Sequence, residues 1–144
     1  MEPLRRTKQI QKNKIEFLLD TDVIQEHLVS GSSSILVELL QRGLGFTTVL
    51  NAAEIMLKCN SLEDEYSAKS VLSALKILGI HSRYSLSVNK ISQEIKSLRD
   101  VLFVVTAEIN KINIVTLKPE RYQSDKVKIL SPCDLIMSQT DNFI

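Results

Sequence analysis

Residues 15–24 read Ile-Glu-Phe-Leu-Leu-Asp-Thr-Asp-Val-Ile, and this stretch decides the fold. Its first half is a short apolar run of the kind that forms a buried strand, and the run stops at Asp20. The Asp-Thr-Asp turn that follows is typical of a helix N-terminus, where one aspartate is enough for a cap. The stretch therefore predicts a strand over 15–20, then a helix, with a spare carboxylate at the junction.

Two later strand–helix junctions also carry an acid. Residues 46–55 read Phe-Thr-Thr-Val-Leu-Asn-Ala-Ala-Glu-Ile, where Thr or Asn can start a helix and Glu54 falls about one turn inside it. Residues 99–107 read Arg-Asp-Val-Leu-Phe-Val-Val-Thr-Ala, which places Asp100 at the start of an almost wholly apolar helix, at the rim of the core. In a parallel sheet such junctions gather at one edge. We therefore expect the three carboxylates to converge in one cleft.

Strands and helices alternate along the remaining chain. Further strands are predicted over 46–49, 80–84, 112–116 and 127–130, and helices over 21–29, 32–42, 50–59, 62–77, 86–97 and 99–111. This order implies a three-layer α/β/α sandwich with a central, mostly parallel, Rossmann-like sheet. A chain of 144 residues fits one domain, expected over 15–134, between an N-terminal arm over 1–14 and a C-terminal tail over 135–144.

The overall charge is nearly balanced. Eighteen Lys and Arg against seventeen Asp and Glu give a net charge of +1, so any nucleic-acid contact must rely on local patches. The basic run over 5–14 is one such patch, and it reads either as a solvated arm or as a contact for RNA or a partner subunit. Neither a membrane span nor the apolar core of a signal peptide is evident, so a cytoplasmic location is expected.

Three clustered carboxylates need a cation, because like charges at close range repel one another. Hard carboxylate oxygens suit Mg²⁺ or Mn²⁺. Asp20, Glu54 and Asp100 are therefore the predicted metal ligands and catalytic residues of a site for phosphodiester chemistry. The alternatives are a helix cap for each aspartate and a salt bridge for the glutamate.

Neighbouring polar residues have weaker claims. Asp22 is predicted to support the site or to serve as the helix cap. Arg99 adjoins an acid and could neutralise it or contact a phosphate, but a surface arginine is the favoured interpretation. His27 and His81 lack partners at ligand spacing and receive no catalytic role.

With these segments in this order, the chain resembles the PIN-domain nucleases, and among them the VapC-type toxins of bacterial and archaeal toxin–antitoxin pairs. Leu18 to Val23 match the family's opening Leu-Leu-Asp-Thr-Asn/Asp-Val. Thr48 to Ile55 match a Ser/Thr strand followed by Ala-Glu-Leu, and Asp100 to Ala107 follow Asp-Ala-Leu-Ile-Ala-Ala-Thr-Ala. The resemblance runs from Ile15 to about Asp134, and its specificity lies in the order of the motifs.

The resemblance implies a PIN-like fold and a Mg²⁺- or Mn²⁺-dependent endoribonuclease with RNA as substrate. It further implies an antitoxin protein that blocks the site, often with a basic side chain, and a homodimer. The helices predicted over 32–42 and 62–77 also favour self-association, because they carry more apolar positions than one face of a small sheet covers.

The chain departs from the family pattern at its last motif. The family's Leu-Val-Thr-Arg-Asn/Asp resembles Ile114 to Lys118, so a lysine stands where an acid or amide is usual. The ammonium of Lys118 cannot ligate a metal, although Glu120 could substitute for the missing ligand. The resemblance also implies that Thr116 hydrogen bonds to a ligand carboxylate. This departure motivates a rival hypothesis, a catalytically weakened PIN-like module that binds RNA or a protein partner without cleavage.

Overall fold

The computed structural model describes residues 14–91, 94, 95 and 97–141, and within them five strands alternate with six α-helices. The strands are β1 (Ile15–Leu19), β2 (Gly43–Thr48), β3 (Lys76–Leu78), β4 (Asn113–Val115) and β5 (Ile129–Leu130). The α-helices are α1 (Thr21–Ser30), α2 (Ile35–Arg42), α3 (Val49–Leu57), α4 (Leu62–Ser73), α5 (Leu98–Asn110) and α6 (Pro132–Asp141). Short 3₁₀ helices cover Gly31–Ser33, Ser82–Lys90 and Pro119–Arg121.

The five strands form one sheet in the order β3-β2-β1-β4-β5, and every pair is parallel. The chain winds outward from β1 to β3 and then returns to the other side of β1 to form β4. The direction of winding therefore switches between β1 and β4. At such a switch point a crevice opens at the carboxyl ends of the strands, and Asp20 and Thr116 follow those two ends directly.

Helices cover both faces of the sheet and enclose two apolar clusters. Alternate β1 side chains enter different clusters, since Leu18 lies on one face while Phe17 and Leu19 lie on the other. Helices α1 to α4 and α6 pack over the Phe17 face, whereas α5 packs over the Leu18 face. The predicted three-layer α/β/α sandwich is confirmed.

Glycines allow β2 to lie close to its neighbours. The sequence predicts that Gly43 and Gly45 precede the strand, but both lie within it, paired with Ile15 and Phe17 of β1. A Cβ on Gly43 would collide with the carbonyl oxygen of Ile15, and one on Gly45 would lie 2.8 Å from the side chain of Leu40. Close packing, and not a turn, explains these glycines.

The predictions for residues 74–90 are wrong. The predicted helix over 62–77 ends at Ser73, and the strand predicted over 80–84 is instead β3, at the sheet edge. A 3₁₀ helix over Ser82–Lys90 replaces the start of the helix predicted over 86–97, of which residues 92, 93 and 96 lie outside the described residues. Serine hydroxyls there compete for backbone carbonyls, as in the 2.6 Å bond from Ser85 to Ser82, and disfavour a regular α-helix.

The last α-helix of the described residues crosses the predicted boundary between the domain and the C-terminal tail. Helix α6 runs across the boundary predicted at residue 134, and Leu135 is buried in the cluster that contains Phe17. Residues 1–13, which hold most of the predicted basic run, lie outside the described residues. Among the helices that the structure describes, none has the length and apolar character needed to cross a membrane.

Candidate functional site

Asp20 lies at the centre of the crevice beside the carboxyl end of β1. Its backbone N–H donates to the carbonyl of Val115 at 3.0 Å, and its Oδ1 accepts from the backbone N–H of Thr21 at 2.8 Å. Asp20 is thus the N-cap of α1, and its side chain is 0% exposed. The prediction that Asp22 could serve as this cap is wrong, because Asp22 already lies within the helix.

Helix α3 brings Glu54 to the same crevice. Thr48 caps this helix in a capping box with Asn51, which fixes the rotation of the helix about its axis. The Asn51 amide donates to Asp20 Oδ1 at 3.3 Å and to the Thr21 hydroxyl at 2.9 Å. The Thr21 hydroxyl donates to Glu54 Oε1 at 2.8 Å. One chain of hydrogen bonds therefore joins the end of β1 to Glu54.

Helix α5 contributes Asp100 from its first turn. The N-cap of α5 is Ser97, whose hydroxyl oxygen accepts from the backbone N–H of Asp100 at 3.0 Å. The cap interpretation of Asp100 is therefore wrong. Its carboxylate points into the crevice, and Asp20, Glu54 and Asp100 form what we call the acid cluster.

Arg99 holds the acid cluster together. One nitrogen of its guanidinium, Nη2, lies 2.8 Å from Asp20 Oδ1 and 2.7 Å from Glu54 Oε1. The other, Nη1, lies 3.1 Å from Asp100 Oδ1. The three carboxylates converge as predicted, and all of them contact this guanidinium. The interpretation of Arg99 as a surface residue is wrong, since its side chain is only 19% exposed.

Arg121 and Tyr122 complete the network. The Tyr122 hydroxyl donates to Asp20 Oδ2 at 2.6 Å and accepts from Arg99 Nη1 at 2.6 Å. Arg121 places Nε and Nη2 at 2.9 and 2.8 Å from the two oxygens of Asp100, a fork that matches the planar carboxylate. A second guanidinium therefore neutralises Asp100 from the side nearer solvent, where the Arg121 side chain is 41% exposed.

The electrostatics of the network favour charged arginines and a neutral tyrosine. Burial alone would lower the pKa of Arg99, but the charge of Asp20 and the hydrogen bonds to Glu54 and Asp20 outweigh it and raise that pKa. The hydrogen bond to Asp100 raises the pKa of Arg121. Burial, then the charge of Asp20, raises the pKa of Tyr122. Tyr122 is therefore a protonated hydrogen-bond donor at neutral pH.

Asp22 and Thr116 form the side of the network nearest β4. The Thr116 hydroxyl lies 2.9 Å from Asp22 Oδ2 and 3.3 Å from Asp20 Oδ2, and its single proton can serve only one of them at a time. The other Asp22 oxygen is buried and has no hydrogen-bond partner among the described residues. Burial, followed by the nearby charge of Asp20, raises the pKa of Asp22.

The side chains of Lys118 and Glu120 are both exposed, and within the described residues neither forms a hydrogen bond or ion pair with the acid cluster. Lys118 touches the network through its backbone, whose N–H donates to the Thr116 hydroxyl at 3.2 Å and whose carbonyl accepts from the Arg121 N–H at 3.0 Å. The hypothesis that the Lys118 ammonium is the internal counter-ion names the wrong residue: Arg99 has that position. Of the charged residues in the Pro119–Arg121 3₁₀ helix, Arg121 contacts Asp100, whereas Glu120 is exposed.

The donor chemistry fits a divalent ion, but the present arrangement holds a guanidinium in its place. Three hard-oxygen ligands meet at one cation, and an orphaned carboxylate oxygen of Asp22 lies beside them. Across the described part of the chain, no group of three or more acidic, histidine or cysteine side chains is spaced to hold a metal as it stands. Arg99 supplies the cation that the three carboxylates share.

Sequence reasoning considered that Arg99 could neutralise Asp100 but favoured a surface position for it, and it considered Asn51 only as a helix start. It assigned no role in the site to Arg121 or Tyr122. The adjacent opposite charges of Arg99 and Asp100 were the available signal for Arg99. For Asn51, the available signal was its position three residues after Thr48, which is the spacing of a capping box. Arg121 carried no signal, because only the fold brings it beside Asp100.

Solved structures share this architecture. The chain is similar to one in DNA-bound VapBC from Salmonella typhimurium, with TM-score 0.68 and 16% identity over 83% of this chain and 99% of that chain. It is similar to a chain of VapBC2 from Rickettsia felis bound to a promoter DNA fragment, with TM-score 0.65 and 15% identity over 80% of this chain and 97% of that chain. The chain has the PIN-domain fold.

A toxin–antitoxin complex from Klebsiella pneumoniae supplies a further similar chain, with TM-score 0.65 and 18% identity over 81% of this chain and 97% of that chain. The expected resemblance to VapC-type PIN domains is confirmed at the level of the fold. Neither a protein-family model nor a curated protein matches the sequence.

Proposed function

We propose that the protein is the toxin of a toxin–antitoxin pair, a PIN-fold endoribonuclease whose acid cluster takes up Mg²⁺ or Mn²⁺. The observation that carries the proposal is the convergence of three carboxylates, from three separate elements, on a single cation at the sheet's switch point. The structural likeness to VapBC complexes supports it.

The residues around the acid cluster would orient it for this chemistry. Asn51 and Tyr122 bind the two oxygens of Asp20 separately, which fixes the plane of that carboxylate. The Thr21 hydroxyl holds one oxygen of Glu54, Oε1. When bound, a divalent ion would lower the pKa of a water molecule and offset charge on the scissile phosphate. The chain itself supplies the rigid ligand geometry that such chemistry requires.

RNA would meet the site from the exposed rim. Lys118 is exposed next to Thr116, and Arg121 is 41% exposed beside Asp100. Cations in these positions suit phosphates of the RNA backbone, which local contacts must attract because the net charge is only +1. In this proposal Lys118, where the family has an acid, contacts the substrate and not the metal.

An antitoxin and a second copy of the chain are the proposed protein partners. The start of α4 presents Leu62 and Tyr66 to solvent at 84% and 76% exposure, and Leu57 at the end of α3 is 86% exposed. Large apolar side chains that are this exposed would gain from burial in an interface. Sedimentation velocity at micromolar concentration tests the homodimer, and a purely monomeric protein would contradict it.

The second candidate is a PIN-fold module that binds RNA or a protein without cleavage. Two contacts favour it: Arg99 neutralises the whole acid cluster, and Arg121 neutralises Asp100 a second time. Because Arg99 contacts one oxygen of each of these three carboxylates, a metal ion that bound the same three oxygens would require Arg99 to move.

An RNA cleavage assay at millimolar Mg²⁺ or Mn²⁺ separates the two candidates. Under the nuclease proposal wild type cleaves, Asp100→Asn does not, and cleavage is lost with a chelator. Asp125→Asn is the matched control, because Asp125 is exposed away from the cluster, and it should cleave like wild type. RNA binding without cleavage in all three proteins would exclude the nuclease and support the second candidate, a module that binds RNA without cleaving it.

A further inference from the structure

We propose that Arg99 is a built-in counter-ion that a divalent metal must displace, so that the acid cluster exchanges between a guanidinium-held and a metal-held form. The inference rests on the proposed function, because it takes the acid cluster as the metal site. It assigns to Arg99 a role that neither the fold nor the motifs indicate.

The contacts of Arg99 make the two forms mutually exclusive. The guanidinium lies against Oδ1 of Asp20, Oε1 of Glu54 and Oδ1 of Asp100, one oxygen from each carboxylate. A metal ion shared by these oxygens would lie where the guanidinium nitrogens lie now, and two cations cannot occupy that space. Metal binding therefore requires Arg99 to leave the centre.

The position of Arg99 in α5 permits such a movement. Arg99 is the second residue of the helix, at the rim of the crevice, and its side chain is partly exposed. Its guanidinium lies 5.2 Å from the centre of the Phe103 ring, one turn further along the same helix. A long side chain at this place can turn outward through its own torsions, without loss of the hydrogen bonds that hold α5.

The charge balance gives the exchange a driving force. Asp20, Asp22, Glu54 and Asp100 bring four carboxylates to the crevice, whereas Arg99 and Arg121 bring two positive charges. A divalent ion in place of Arg99 would raise the positive charge from two to three. The buried Asp22 oxygen that lacks a partner would also gain a neighbouring cation.

Titration calorimetry with Mn²⁺ tests the exchange directly. Arg99→Gln should bind Mn²⁺ about tenfold more tightly than wild type, because it removes the competing cation. Arg83→Gln is the matched control, since Arg83 is exposed on the Ser82–Lys90 helix and should leave the affinity unchanged. An Arg99→Gln affinity equal to or weaker than that of wild type would overturn the inference.

A measurement on wild type keeps the test independent of the variant's folding. The side-chain Nε–H of Arg99 donates to Glu54 at 3.0 Å and should give a protected NMR signal without metal. Saturating Mg²⁺ should shift this signal and speed its exchange with water. The backbone N–H of Thr21, which donates to Asp20 at 2.8 Å, reports whether Mg²⁺ binds at the acid cluster. An Arg99 signal that does not change while the Thr21 signal shifts would refute displacement.

The two proposals fail in different ways. If Arg99→Gln binds Mn²⁺ more tightly but no protein cuts RNA, the counter-ion exchange stands and the nuclease does not. If wild type cuts RNA but Arg99→Gln shows no gain in affinity, the nuclease stands and the exchange does not.

Discussion

Two regions of the molecule meet at the end of β1. Phe17, Leu18 and Leu19 are fully buried among apolar side chains, and Asp20, the next residue, is equally buried among charges. In the apolar clusters each side chain is stabilised by being out of water, whichever particular neighbours it has. At the polar edge each charge is tolerated only because its partners are present. The core therefore depends on burial, whereas the polar edge depends on its particular partners, including the cation that neutralises its carboxylates.

The largest loss of stability should come from the apolar side of this boundary. Leu18→Ala should lower the free energy of unfolding by about 2–5 kcal/mol, because it leaves a cavity beneath α5. Urea denaturation with and without Mn²⁺ measures it, and the loss should be the same in both. If Mn²⁺ recovers part of the lost stability, then the apolar core and the polar edge do not contribute independently to stability.

A smaller loss should follow from removing one hydroxyl at the polar edge. Tyr122→Phe keeps the ring against Phe103 but leaves Asp20 and Arg99 each short of a partner, which should cost about 1–3 kcal/mol. The matched control is Tyr84→Phe, whose hydroxyl accepts only a 3.3 Å bond from exposed Asn110. Equal losses in the two variants, measured by urea denaturation, would contradict the importance of the buried network.

A still smaller loss is expected at the exposed end of the same network. Arg121→Gln removes a forked ion pair with Asp100, but solvent screens a side chain that is 41% exposed. The expected cost is about 0.2–1 kcal/mol, because Arg99 still contacts Asp100. Thermal unfolding followed by circular dichroism measures it. A cost as large as that of Tyr122→Phe would mean that solvent exposure does not determine how much each contact in the network contributes to stability.

The smallest change should follow from restoring the family's acid. Lys118→Asp should alter stability by no more than about 0.5 kcal/mol and leave the Mn²⁺ affinity unchanged, because the Lys118 side chain is exposed. The same calorimetry and urea denaturation test both parts. Tighter Mn²⁺ binding in the variant would indicate that Lys118, and not Arg99, is the cation that competes with the metal.

Much of the fold could be predicted from the sequence. The apolar runs of β1 and β4 are buried on both faces of the sheet, so their strands were evident from composition alone. The region around β3 was not predictable in this way. Ile77 fits the apolar spacing of the preceding helix, and only its pairing with Thr47 in the sheet shows that it belongs to a strand.

The site could be predicted only in part. Convergence of the acid cluster follows from parallel strands, whose carboxyl ends must share an edge. The place of Arg99 depends on the rotation of α5, which is set by the choice of Ser97 and not Asp100 as cap. Because successive helical residues point about 100° apart, a different cap would turn the guanidinium elsewhere.

The adjacency of Arg99 and Asp100 in α5 has a consequence for how the site would respond to its surroundings. A counter-ion on the same helix as its carboxylate cannot diffuse away, so it competes at a fixed effective concentration that dilution does not alter. The free-ion level at which half of the molecules exchange Arg99 for metal is then a property of each single chain. A change in the amount of the protein would not alter that concentration, whereas a rise in free Mg²⁺ or Mn²⁺ above it would convert most molecules to the metal-held form.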